Sequence, residues 1–319
     1  MNSSQKLIVS NAPFWHSGAS LIERHYHIIL AALPAAIFGC FQYGMPAVGV
    51  ISLSVATAIG WEWLMNRLMK QPVTIGDGHA ALIGLLLAMV FPATAPWWFV
   101  LTGTFIAIVI GKVIFGGIGS NPFNPVALSV AILAVSWGSY LDFDGMLVNY
   151  DFGFPALYPL AQFKYMGVDA IEPYHTGQLL LGQQVGGIGA TFGLGLIVGG
   201  IYLMLRAYIR WEIALSFLAG IFVTAMIFYG VDPQRFASPM FHLLTGYTLI
   251  GAFFLATEDS SSPVHFVPML IYGAAGGVMT VLIRNIGAWV DGVMLAILLI
   301  NTLNPLLDKI RPKAIGKVA

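Results

Sequence analysis

Ten hydrophobic stretches alternate with polar breaks along the chain, at roughly 26–43, 47–65, 78–91, 97–115, 124–140, 191–209, 212–230, 240–256, 264–284 and 287–306. Each is a continuous apolar run, not an every-other-residue alternation, so the pattern predicts helices and not barrel strands. A helical span of a bilayer needs about 20 apolar residues. The third and fifth runs fall short of that and are expected to be tilted, broken or partly re-entrant. One long interruption, 141–190, separates the fifth run from the sixth. It carries Asp142, Asp144, Asp151, Asp169 and Glu172 against a single base, Lys164. A connection of that length is usually functional or disordered.

Composition places these helices in a membrane. Of 319 residues, 58% are hydrophobic and 9% charged, with a mean hydropathy of +0.83. A soluble domain carries about 25% charged residues. A soluble enzyme, a nucleic-acid binder and a disordered chain are thereby excluded, and an all-α polytopic membrane protein remains. Its N-terminus is polar and has no signal-peptide core. With that end cytoplasmic, the inside segments hold 11 of the 14 bases and the outside segments 3. This asymmetry supports about ten transmembrane helices, with both termini cytoplasmic and 141–190 outside.

An internal repeat refines the architecture. At an offset of 168, Ile118-Gly119 matches Ile286-Gly287, and Asp77–Met89 matches Thr245–Thr257. Each half then has five spans, and an odd number inverts the second half across the membrane. The expected organisation is a cytoplasmic segment at 1–25, a first five-helix repeat at 26–140 and an extracytoplasmic loop at 141–190. A second five-helix repeat at 191–308 and a cytoplasmic tail at 309–319 complete it.

Candidate chemistry concentrates in the polar breaks. One cysteine, Cys40, can make neither an internal disulfide nor a cluster site, so a redox role requires an organic cofactor or partner subunits. The run Gly116–Pro125 interrupts the helix and aims two amides, Asn121 and Asn124, three residues apart. Paired amides suit a heteroaromatic ring such as flavin or quinone, while Asn-Pro also suits a plain helix cap. Glu258, in Thr257–Pro263, is either a solvated cap or a polar site within the membrane. Gly186–Thr191 resembles a phosphate-cradling nest at a helix start, and equally a packing motif. Asp291 is a second acid near the outer face, at the start of the tenth span, and equally a helix N-cap. No two histidines have metal-pair spacing, and His79 and His242 begin spans on opposite sides, against a haem. No metal is expected.

Blocks along nearly the whole chain are similar to one family. They include Leu85–Ala88 with Ala95–Trp98, Gly116–Pro125, Arg210–Ile213, His242–Gly246, Asp291–Val293 and Asn304–Asp308. The chain resembles the D subunit of the Rnf ion-translocating oxidoreductase and the homologous B subunit of the sodium-pumping NADH:quinone reductase. The resemblance implies a subunit of a multi-subunit complex in the inner membrane. It would pass electrons through bound flavin, coupled to Na+ or H+ translocation. It also implies FMN on a threonine between spans five and six, by a phosphoester bond. The matching segment here is Ala156–Lys164, and Tyr158 stands at the acceptor position, so no such bond is expected there. Thr191, in Gly189-Ala190-Thr191, is the fallback. The family's inner riboflavin site maps onto Asn121, Asn124 and Glu258. A urea-type channel, which shares the five-plus-five arrangement, and a membrane scaffold without redox chemistry are the competing readings.

Overall fold

The computed structural model describes residues 20–310. Parts of the expected 1–25 segment and of the 309–319 tail therefore lie outside the described residues. Each hydrophobic run is helical, and no strand occurs among the described residues. Ahead of the long connection lie α1 (Leu21–Tyr43), α2 (Met45–Leu68), α3 (His79–Val90), α4 (Trp97–Val113) and α5 (Pro125–Trp137). After the long connection come α6 (Gly193–Leu205) and α7 (Trp211–Val231). The eighth run is broken: Pro239–Leu244 stops, and Thr248–Ile250 resumes and continues as a π-helical turn, Gly251–Leu255. We call both halves α8. Then follow α9 (Phe266–Asn285) and α10 (Val293–Leu307). Helices α1, α2, α7 and α9 are long and apolar enough to cross a membrane, and the others are shorter. The molecule is an all-helical, polytopic membrane protein.

Small residues set the packing. Between α7 and α9, a Cβ added at Gly220, Gly273 or Gly277 would strike the facing backbone. Such close approach is how helices associate where lipid removes the hydrophobic drive. Gly39 of α1 seats the carbonyl of Ile188 in the same way.

The 141–190 connection is an ordered cap. It contains the short helices Phe143–Met146, Pro159–Met166 and Thr176–Leu180. Phe143, Leu147, Leu160, Phe163 and Leu179 are buried beneath it.

Two bases in the charge tally behave unlike loop residues. Lys112 lies in the π-helical half of α4, Ile106–Val113, and is buried against Glu62 of α2 at 2.8 Å. Thr74 also donates to Glu62, at 2.7 Å, and accepts from Asn66. Arg284, counted as an outside base, is buried in α9. Setting both aside leaves ten bases on the segments expected inside against two on those expected outside.

The break in α8 has a visible cause and a visible remedy. Gly246 has a φ of +65°, and a Cβ there would strike the Asp291 carboxylate. Only glycine fits on both counts. The carbonyls released by the break must be satisfied inside the protein. Arg284 donates to the carbonyls of His242 at 2.8 Å and Thr245 at 3.3 Å, and Gln184 donates to that of Leu244 at 2.8 Å. On the far side of the break, the Tyr247 amide donates to Asp291 at 2.7 Å.

Candidate functional site

Two cavities, each of about 440 Å³, lie at opposite ends of the same three helices. Asn124 and Val126 at the start of α5 line one; Val130, Ala134 and Gly138 further along line the other. On α8, Phe253 and Phe254 face the first cavity and Tyr247 the second. On α10, Asn304 belongs to the first and Met294 and Leu295 to the second. Val126 and Val130 are four residues apart, about 6 Å of helical rise.

The Asn124 cavity has apolar walls from Ile28, Leu82, Ile83, Leu86, Phe253 and Phe254. The π-helical turn presents two successive phenylalanines to it. Gly200 makes room behind, since a Cβ there would strike the Phe253 ring. The polar lining comes from His25, His79, Asn124, Thr257, Glu258 and Asn304, with Arg24 and Asp259 paired at its edge. His25 and His79 stack with ring centroids 4.7 Å apart. His25 Nδ1 bonds the Asp77 carbonyl at 2.8 Å, but His79 Nδ1 and Asn304 Oδ1 are buried without a partner. Buried polar atoms left unpaired are costly and call for an explanation. A ligand with its own donors and acceptors would supply one.

Asn121 and Glu258 meet directly. Asn121 Nδ2 donates to Glu258 at 2.8 Å, and Ser261 donates to the other carboxylate oxygen. Burial pushes the Glu258 carboxyl above the ordinary carboxylate range, while the Asn121 and Ser261 hydrogen bonds pull it down. Asn121 Oδ1 is buried and unpartnered.

The Tyr158 cavity lies beneath the 141–190 connection. Its walls include Phe143, Tyr158, Tyr247 and Trp289, with Asp142, Asp144 and Asp291 among its polar groups. Phe143 and Tyr158 pack with centroids 4.9 Å apart. Asp291 is paired with Arg284 at 3.0 Å. It also accepts from the Val293 amide at 3.1 Å, but the N-cap of α10 is Gly292, so the N-cap reading of Asp291 is corrected: it precedes the cap and pairs with Arg284. The Tyr158 hydroxyl is buried without a partner.

Sequence comparison supplies the family. The profile of the NQR2, RnfD, RnfE family matches residues 8–316. The D subunit of the proton-translocating ferredoxin:NAD(+) oxidoreductase complex of Clostridium ljungdahlii is 33% identical over 308 residues, covering 94% of this chain and 93% of that one. The D subunit of the ion-translocating oxidoreductase complex of Yersinia pseudotuberculosis is 34% identical over 334 residues, covering 94% and 95%. Its namesake from Aeromonas salmonicida is 34% identical over 345 residues, covering 97% and 98%. The chain belongs to the NQR2, RnfD, RnfE family.

In this member of the NQR2, RnfD, RnfE family the predicted site residues fall into separate places. Asn124 and Glu258 line one cavity, and Asn121 supports Glu258 from behind. Asn124 is also the N-cap of α5, accepting from the Val126 and Ala127 amides at 3.0 Å each and donating to the Leu255 carbonyl. Its side chain is spent on backbone, so it positions the cavity wall. Tyr158 lines the second cavity; Thr191 is buried and does not line it. The nest reading of Gly186–Thr191 is corrected. The amides of Ile188 and Gly189 donate to the carbonyls of Phe91 and Met89, at 3.0 and 2.8 Å, leaving neither for a phosphate. His79 and His242 do not meet: His79 stacks on His25, whereas His242 packs against Phe163 and Phe241. Among the described residues, no cluster of three metal-ligating side chains occurs. Sequence reasoning missed Asn304, His25 and His79 as cavity groups. Asn304 sits in the Asn304-Pro305 pair, the same signature that singled out Asn124.

Proposed function

We propose that this chain is the membrane-embedded D-type subunit of an Rnf-like, redox-driven ion translocase. It works only within a complex of further membrane and peripheral subunits, as the names of its relatives imply. Electrons cross between the two cavities through bound flavin, coupled to Na+ or H+ movement. The observation that carries this reading is the Asn124 cavity, an apolar-walled space into which unpaired polar atoms converge. A flavin bound there supplies a carrier that accepts electrons singly or in pairs. Asn304 and His79 would hold the edge of its ring. Phe253 and Phe254 exclude water from its face. The Glu258 carboxyl, held by Asn121 and raised by burial, can keep a proton close to a ring that gains negative charge.

Asn304→Leu removes one buried polar partner, worth about 1–3 kcal/mol, and is expected to lower flavin retention at this cavity roughly 5- to 150-fold. Asn124→Leu would be a poorer probe, since loss of the cap alone costs about 1 kcal/mol of folding stability. The purified complex should show a flavin absorbance band near roughly 450 nm, and Asn304→Leu should lose part of it. A colourless wild-type protein would instead favour the channel reading.

The ten-span, inverted-repeat architecture belongs to the same proposal. α5 starts at Pro125 and α10 at Val293, the 168-residue offset of the sequence repeat. α1 packs on α6, and α5 packs on α10. Each of these pairs joins the same element of the two halves, an arrangement that a two-fold axis between the halves accommodates. With both termini in the cytoplasm of a bacterial inner membrane, Asp151 faces outward. In a Cys40→Ser background, Asp151→Cys should react with a membrane-impermeant maleimide only from the outer side; labelling only from the cytoplasm would invert the topology.

A further inference from the structure

The Tyr158 cavity has a distinctive donor set. Its polar side chains are Ser139, Asp142, Asp144, Tyr158, Tyr165, Tyr247 and Asp291, together with the Trp289 indole, and among the described residues no lysine or arginine lines it. The two nearest bases are engaged elsewhere. Arg284 is spent on Asp291, on the carbonyls of His242 and Thr245 and on the Thr248 hydroxyl. Lys164 donates to the carbonyls of Arg284 and Gly287. Apart from the indole, the lining side chains offer oxygen.

A phosphate needs the opposite. It is held by cationic side chains or by converging backbone amides, and like charges repel it. Here a phosphate would face Asp142 and Asp144, which have no basic partner among the described residues lining the cavity, while the nearby Ile188 and Gly189 amides donate to the carbonyls of Phe91 and Met89. The resemblance places FMN in this part of the chain, but the residues present do not fit its phosphate. They fit a ligand rich in hydroxyl and N–H donors. The aromatic walls add faces for a planar ring.

The Tyr158 hydroxyl is the second, independent pointer. The residue is 6% exposed, lines the cavity, and its hydroxyl has no hydrogen-bond partner among the described residues. Burial, reinforced by Asp291, pushes its pKa well above that of an ordinary phenol, so it stays protonated and able to donate. A ring carbonyl or ring nitrogen would satisfy it.

We propose that the Tyr158 cavity selects a phosphate-free, hydroxyl-bearing isoalloxazine of the riboflavin class and holds it without a covalent bond to this chain. The inference rests on the flavin-carrier reading above and adds what the second cavity accepts. Riboflavin should outcompete FMN there by at least about tenfold, because the two differ only in the phosphate.

The test uses the full-length chain in lipid nanodiscs, stripped of flavin, and titrated separately with riboflavin and with FMN by fluorescence quenching. An Asn304→Leu background weakens the other cavity. Intact mass of the chain from the native complex is measured in parallel. The expected results are a riboflavin preference, an unmodified chain mass and about tenfold weaker riboflavin binding in Tyr158→Phe. Asp144→Asn should narrow the preference. It keeps an amide oxygen for the Tyr158 backbone N–H that Asp144 now accepts. Equal or tighter FMN binding, or an FMN increment on the chain, would overturn the inference while leaving the flavin-carrier reading intact. Riboflavin binding unchanged by Tyr158→Phe would overturn it equally. A wild-type chain that binds neither flavin overturns the flavin-carrier reading itself.

Discussion

Replacing Arg284 with leucine is expected to cost about 3–5 kcal/mol of folding stability and to collapse the Tyr158 cavity. The side chain is fully buried and holds together three things that the sequence leaves exposed to one another. It neutralises Asp291, whose side chain is only 6% exposed. It satisfies the His242 and Thr245 carbonyls released where α8 breaks. It also donates to Thr248 at 2.9 Å, on the resumed half of that helix. Leucine would strip the buried Asp291 carboxylate of its counter-charge and leave the two carbonyls with only the Thr248 hydroxyl, which donates to them at 2.8 and 3.0 Å. That loss is a large fraction of the roughly 5–15 kcal/mol by which a folded protein is stable. Arg284→Lys keeps the charge but not the planar fork that reaches several acceptors in different directions, so it should recover only part of the loss. Thermal unfolding of the purified chain in detergent measures this. A leucine variant melting at the wild-type temperature would show that Arg284 does not brace the break.

The same residue shows why part of the structure was legible in the sequence and part was not. Helix positions followed from continuous apolar runs, because backbone hydrogen bonds in a bilayer leave helices as the natural solution for such runs. The predicted starts at 97 and 124 and the end at 43 lie within a residue of the observed helices. Breaks were harder. Shortness marks the third and fifth runs for tilt, a break or re-entrance, but nothing local marks the break in the eighth, whose hydropathy continues across Thr245-Gly246. What marks the break is a distant arginine and aspartate, and no local window contains them. Buried charge was invisible for the same reason. Lys112 and Arg284 each sit near a helix end, where a base normally reaches water, and only tertiary structure shows them facing inward. At the candidate site, Asn121, Asn124 and Glu258 could be singled out because they lie in Pro- and Gly-rich breaks. His79 and Asn304 lie within apolar helices and carry no local signal beyond the Asn-Pro pair. The resemblance pointed to Tyr158 as a lost acceptor; only the geometry shows its hydroxyl unpaired in a cavity of acceptors.

The buried Glu62–Lys112 pair allows a sharper separation of stability from charge. Both side chains are 2% exposed, and they meet at 2.8 Å between α2 and the widened turns of α4. One carboxylate oxygen carries the lysine and Thr74 bonds, and the other, Oε2, has no partner. Such a pair is a poor net stabiliser, because removing two charges from water costs about as much as their attraction returns. Removing one partner is another matter. Lys112→Met leaves the carboxylate buried with only the Thr74 hydroxyl, and should destabilise the chain by about 3–5 kcal/mol. Glu62→Met strands the ammonium with a similar penalty. The double variant removes both charges and fills the space with side chains of similar length. It should therefore unfold close to the wild type, or above it by about 1–4 kcal/mol. The four proteins form a double-mutant cycle, and contacting residues are the case in which single effects fail to add. Thermal unfolding midpoints of the set decide it. If the double variant loses the sum of the two single penalties, the residues act independently and the pairing is not what holds α2 against α4. If it recovers stability, the ion pair is not needed for folding. The charges are then retained for something the fold does not require, and comparing ion translocation in the double variant and the wild type reads that directly.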